Sequence, residues 1–186
     1  MRLIRLWLVI AVGVVASGEV LGEAGPTIRQ EGTRFELILP SSMRTALQAE
    51  LPGFVAWRLE NYTSDVRQGY AVTMRQAPWA VVGDFNGDGY SDAVVAGHTD
   101  TLCAKVCLWG GTVHPGAQVL SSAACVPGRD SLYTVLMYVA PGLQGTNFSD
   151  DTLFIYTDAF FDYIYEKAGS IWYWKEGEFH EFYAAD

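Results

Sequence analysis

From Trp79 onward the chain is a succession of short apolar and aromatic runs, and that texture constrains the fold more than any other feature. The runs cover residues 80–82, 92–96, 101–108, 133–139, 152–157, 160–166, 171–175 and 178–183. Tyr, Phe, Trp, Val and Ile dominate them, side chains that fit a pleated, half-buried surface, and Gly, Pro, Asn or Asp separates most of them. An antiparallel sheet is the expected assembly. The clearest hairpin is the last, where Glu176-Gly177 joins two aromatic runs and the glycine can take the positive φ of a tight turn.

Upstream, the texture changes. A flexible lead-in is expected to about Gly32, then a strand over residues 35–39 that Pro40 ends. A helix follows. Ser41 or Ser42 can accept from the free amides of its first turn, and Met43, Ala46, Leu47 and Leu51 recur at three-to-four spacing until Pro52-Gly53 stops it. Residues 54–77 show no clear period and read as loop with one short strand. The fold class expected is α+β, mainly antiparallel β-sheet with one N-terminal amphipathic helix.

Residues 1–24 have the order of a secretory signal peptide: Arg2 and Arg5, an apolar run from Leu6 to Ala16, then small and polar residues. That run of about eleven residues is roughly 16 Å long as a helix, too short for a hydrocarbon core of about 30 Å. Small residues at Ala16 and Gly18, or at Gly22 and Ala24, suit a cleavage site. The alternative is an uncleaved membrane anchor. Cleavage leaves one exported domain over residues 25–186, secreted or periplasmic, with no stable membrane insertion. The 186-residue chain carries 12 Lys and Arg against 21 Asp and Glu, a net charge of −9. Such a balance argues against nucleic acid and against anionic membrane surfaces as partners.

An oxidising compartment lets disulfides persist. Cys103 and Cys107 fall on one expected strand, where four residues separate their Cα atoms by roughly 13 Å, beyond disulfide reach. Cys125 should therefore supply one half of any bridge, to Cys103 or to Cys107; the alternative is a buried thiol with no bridge. A zinc site is weakly supported, because Cys-x3-Cys has no second ligand pair nearby.

One segment carries chemistry. Residues 81–97 read VVGDFNGDGYSDAVVAG, placing oxygen-bearing side chains at Asp84, Asn86, Asp88 and Asp92. Calcium takes six to eight oxygens, and a loop turning about the ion can present alternate side chains inward while a backbone carbonyl, here that of Tyr90, adds another. Gly89 permits the bend. Carboxylates about 4 Å apart repel by roughly 4 kcal/mol at an effective dielectric of 20, so three of them gain from a cation. Magnesium, which demands tighter octahedral geometry and keeps its waters, suits the pattern less. An ion-free turn is the alternative, since Asp, Asn and Gly also dominate ordinary turns.

Helices and a Glu at the twelfth position would make an EF-hand, but that position is Val95 and the flanks are short apolar strands. The segment instead resembles one FG-GAP or VCBS repeat, families in which a D-x-[DN]-x-D-G-x-x-D loop joins two strands and is taken to bind calcium. The resemblance covers about residues 79–97 and implies Asp84, Asn86, Asp88 and Asp92 as ligands. Such repeats usually occur in series as propeller blades. A single copy in a chain of this length does not make a full β-propeller.

The remaining candidates are weaker. Residues 150–186 hold nine acids, two lysines and twelve aromatics, and Trp172 and Trp174 share one strand face; sheet core is the preferred use and a sugar-stacking platform the alternative. His98 lies six residues past Asp92 and can approach the loop, in a structural or supporting role. Nucleophile elbows, paired zinc histidines and phosphate-cradling loops are missing from the sequence. The expected function is thus an exported calcium-binding domain with a structural metal, a non-enzymatic module of the cell envelope with a protein or glycan partner. The alternative is an extracytoplasmic hydrolase.

Overall fold

A computed structural model describes residues 24–111, 116–125 and 132–185. Most of the leader sequence lies outside the described residues. The elements run β1 Thr27–Glu31, β2 Arg34–Ile38, α1 Ser41–Glu50, β3 Val55–Ala56, α2 Ser64–Val66, β4 Ala80–Gly83, β5 Asp92–His98, β6 Leu102–Trp109, β7 Gly116–Ala124, β8 Thr134–Val139, β9 Gly142–Gly145, β10 Thr152–Ile155, β11 Ala159–Ile164, β12 Gly169–Lys175 and β13 Glu178–Ala185. The fold is α+β and mainly antiparallel β-sheet. Among the described residues the strands form two two-stranded sheets, a four-stranded sheet β13-β12-β11-β8, and a five-stranded sheet β3-β5-β6-β7 in which β4 also pairs with β5. None closes into a ring of blades, and no described helix is long and apolar enough to cross a membrane.

The organising strand is β5. Its sequence DAVVAGH is buried at every position but the last, and the reason is that both faces are covered. On one face Ala93 and Val95 join Ala104, Val106 and Leu108 beneath Met43 and Leu47 of α1. On the other, Val94 and Ala96 meet a larger cluster that takes Val135 and Phe160 from the four-stranded sheet. A third cluster packs Ile155 of β10 against Ala159, Ile171 and Ala184, which seats the β9-β10 hairpin on the four-stranded sheet. Between the two large sheets, Lys105 of β6 forms an ion pair with Asp162 of β11, both side chains largely shielded from water.

Two upstream expectations need correction. The lead-in before Gly32 is β1, in register with β2 from Thr27↔Ile38 to Glu31↔Arg34; its alternating polar sequence TIRQE hid a strand that buries little. Residues 54–77 are largely helical, since α2 continues as wide π-type turns over Arg67–Met74. Val66, Tyr70 and Ala71 turn inward there. The helix α1 begins directly after Pro40, whose carbonyl accepts from the Arg44 amide. Two further strands, β7 and β9, were not expected, because SSAA and GLQG lack β-branched or aromatic side chains.

The aromatic strands near the C-terminus are chiefly packing surfaces. Trp172 stacks on Phe160 with centroids 6.0 Å apart, and Trp174 meets Trp109 at 4.9 Å. Cys103 bridges to Cys125 with Cα atoms 5.4 Å apart, leaving Cys107 as a buried thiol. The pairing follows from register: Cys103 lies opposite Ala123 in the β6-β7 ladder, and Cys125 follows that strand. A bridge spanning 22 residues removes unfolded-chain freedom, by about 3 kcal/mol on loop-entropy grounds. Replacing both Cys103 and Cys125 with Ala should lower the unfolding free energy in urea by about that amount and raise the slope, because the unbridged unfolded chain exposes more surface; a loss below about 0.5 kcal/mol would show that the bridge constrains nothing.

Candidate functional site

The hairpin connecting β4 to β5 contains all five residues singled out as metal ligands, and its shape is set by carboxylates accepting from backbone amides. Asp84 is the hub. Its Oδ1 accepts from the N–H of Gly87 at 2.9 Å and of Asp88 at 3.0 Å, and its Oδ2 accepts from Gly89 N–H at 2.9 Å. The next two polar side chains repeat the device on a smaller scale. Asn86 Oδ1 also accepts from Asp88 N–H, Asn86 Nδ2 donates to Asp88 Oδ2 at 3.1 Å, and Asp88 Oδ1 accepts from Tyr90 N–H at 2.9 Å. Gly87 and Gly89 stand at φ +75° and +85°, a region costly for residues with a Cβ. At Gly87 a Cβ would also come within 2.8 Å of the Thr157 methyl.

Asp92 plays a different part. It is 0% exposed, and each carboxylate oxygen holds one amide: Oδ2 accepts from Phe85 N–H at 3.0 Å, Oδ1 from Gly110 N–H at 2.7 Å. It thereby ties the hairpin to the end of β6. Burial pushes its pKa from 3.8 up to about 6, the two amides pull it down, and the charges of Asp88 and Asp84 push it up further. A raised acid binds its proton more tightly in the folded state, so this group's stabilising contribution is complete below about pH 4 and is lost as pH rises through about 6. Burial, and then Asp92, also push the Cys107 thiol up.

Asp158, which nothing in its own stretch of sequence singles out, completes the arrangement from the residue before β11 of the opposite sheet. Its Oδ2 accepts from Asp84 N–H at 2.8 Å, its own N–H donates to Asp84 O at 3.2 Å, and its Oδ1 accepts from Tyr138 O–H at 2.7 Å. That last bond, ahead of desolvation, pushes the Tyr138 phenol up to about 12. Phe85, fully buried, sets its ring edge against Phe160 with centroids 5.9 Å apart. His98 stands at the other end of β5 from Asp92, about 20 Å away along a strand, and packs on Trp57 at 4.3 Å. It does not reach the loop.

Asp84, Asn86 and Asp88 therefore share one turn, with the Tyr90 backbone in the same turn and Asp92 at its base. Among the described residues no group of three His, Cys, Asp or Glu side chains makes a metal site by itself; a cation here would need the Asn86 amide and the Tyr90 carbonyl. The donors are all oxygen, which suits calcium and not zinc or copper. Asp84 Oδ1 spends both lone pairs on the Gly87 and Asp88 amides, whereas Asp84 Oδ2 and the Asp88 and Asp92 carboxylate oxygens each hold one donor and keep a lone pair available. No protein-family model, curated protein or solved structure matches the chain.

Without calcium, Asp92→Ala should cost about 2 kcal/mol or more, because it strands the Phe85 and Gly110 amides away from water. Asp88→Ala, whose bonds are exposed, should cost less than about 1 kcal/mol under the same conditions. Urea unfolding in chelator compares the two, and equal losses would show that Asp92 is no anchor.

Proposed function

We propose that residues 84–92 hold a calcium ion through Asp84, Asn86, Asp88, Asp92 and the Tyr90 carbonyl, and that the ion is structural in an exported interaction module of the cell envelope. The observation that carries this reading is the set of three amides converging on Asp84. They draw the loop into a ring and place the oxygens of Asn86 and Asp88 beside it before any ion arrives, so little conformational entropy is left to lose on binding. Two further points support it. The loop concentrates three carboxylates whose mutual repulsion a divalent cation would relieve. The loop is also braced on Asp158 of the other sheet, so an ion that stiffens it would stiffen the junction between the two sheets.

A structural role is favoured over catalysis by what surrounds the carboxylates. The carboxylates of Asp84, Asp92 and Asp158 accept from backbone amides and from the Tyr138 hydroxyl. These carboxylates are thus engaged in holding the chain, and a hydrolytic acid and base need free, facing carboxyls with a substrate between them.

With a dissociation constant of about 0.1 mM and free calcium near 1 mM, binding would add roughly 1.4 kcal/mol of stability. Chelation should then lower the melting temperature by about 3 to 6 °C. Asp88→Ala should melt at the lower temperature with or without calcium. Calorimetry in 1 mM calcium chloride against chelator reads both, and a wild-type protein indifferent to calcium removes the site.

A further inference from the structure

The hairpin of β9 and β10 has two faces of unlike character for which the calcium reading does not account. Leu153 and Ile155 point into the third core cluster, with Ile155 1% exposed. The other face is apolar as well and open to water. Leu143 is 68% exposed, Phe154 54% and Tyr156 84%. Register places Leu143 directly opposite Phe154, and the rings of Phe154 and Tyr156 touch with centroids 5.0 Å apart. Three large side chains are thus held side by side on a seated hairpin, and an exposed apolar surface of this kind marks contact with another molecule.

Charge indicates what that molecule is. Residues 76–104 and 130–166 contain no Lys or Arg, so the charged side chains of the metal loop, β8, β9, β10 and β11 are all acids. Asp150 and Asp151 sit in the turn at one end of the hairpin, and Asp158 follows Tyr156 at the other. Asp158 is in turn bonded to Asp84, which brings the acidic loop against the same edge. A calcium ion offsets two of the loop's three negative charges and leaves the edge anionic. A second copy of this chain, itself at −9, would meet like charge there, and so would an anionic lipid surface.

We propose that the Leu143, Phe154 and Tyr156 face, with its acidic ends, docks a basic segment of another protein in which Arg or Lys alternates with apolar residues. The aromatic rings take the apolar side chains and the faces of guanidinium groups, and the flanking carboxylates take the charges. The proposal deepens the interaction-module reading by naming the surface and the chemistry of its partner.

The test is fluorescence anisotropy with a labelled nonapeptide of alternating Arg and Leu, against its Glu and Leu counterpart, using the purified protein in calcium. The Arg peptide should bind, the Glu peptide should not, and raising salt from 50 to 300 mM should weaken binding about tenfold. Phe154→Ala with Tyr156→Ala should raise Kd at least about tenfold at unchanged melting temperature, and Asp150→Asn with Asp151→Asn should raise it severalfold. Glu50→Gln with Glu60→Gln removes the same charge elsewhere and should leave Kd unchanged. Equal weakening by that control would show general attraction to an acidic protein and overturn the proposal. So would binding of both peptides alike, an unaffected aromatic double variant, competition by a neutral oligosaccharide, or self-association that the aromatic variant abolishes. Calcium-dependent melting reads the metal site separately, so a protein that responds to calcium yet ignores the Arg peptide loses the docking face and keeps the ion.

Discussion

The two large sheets meet backbone to backbone where the Leu136 amide donates to the Pro78 carbonyl and, beside the loop, at the reciprocal pair between Asp84 and Asp158. Each residue's amide donates to the other, one to a carboxylate oxygen and one to a carbonyl. Two such bonds are worth only about 1 kcal/mol each, so they cannot be what makes the sheets associate. Burial does that: Phe85 beside Phe160, and the cluster from Trp57 to Leu136 around them, with about 1.5 to 3 kcal/mol for each large side chain removed from water. The hydrogen bonds decide the registration. Apolar contact between two twisted sheets is permissive of sliding, whereas a paired donor and acceptor on each side admits one arrangement.

Asp92 shows the cost of that registration. A carboxylate without solvent exposure is unfavourable, and its raised pKa measures how far two amides fall short of replacing water. The residue is tolerated because its two oxygens fix the start of the hairpin to Phe85 and the end of β6 to Gly110, contacts that an apolar side chain cannot make. Charge repulsion from Asp84 and Asp88 adds to the cost. An apolar residue at 92 and neutral residues at 84 and 88 would make an ordinary turn without this penalty. The accumulation of acid at a place where the sheets are registered is a further physical argument for a cation.

The sequence made the sheet legible where its side chains carry the folding force. The runs that became β4, β5, β6, β8, β10, β11, β12 and β13 are rich in Val, Ile, Tyr, Phe and Trp, and all lie near their expected positions. It was silent where strands bury little: β1 and β7 pair through backbone and expose much of their side chains, so no periodicity records them. The helical turns after Ser64 are irregular in pitch, which blurs the apolar spacing. For the loop, Asp84, Asn86, Asp88 and Gly89 could be placed in one turn because their roles are local. Asp158 could not, because its part depends on a contact across 74 residues and nothing in its own neighbourhood distinguishes it from any acid after a strand.

The loop and the aromatic face are not independent parts. Gly87 leaves room for the Thr157 methyl, and the segment from Tyr156 to Asp158 is bounded on one side by that contact and on the other by the Tyr138 hydroxyl. Tyr156 is therefore carried on a short stretch whose next two residues are both fixed by the hairpin. Close packing transmits position over such distances because neither neighbour can yield without opening a gap. A residue at 87 with a side chain would push Thr157 away and turn Tyr156 with it, even though residue 87 is remote from the apolar face. The requirement for glycine at this position thus comes from two directions, the positive φ of the turn and the proximity of the opposite sheet. The second has nothing to do with the turn itself.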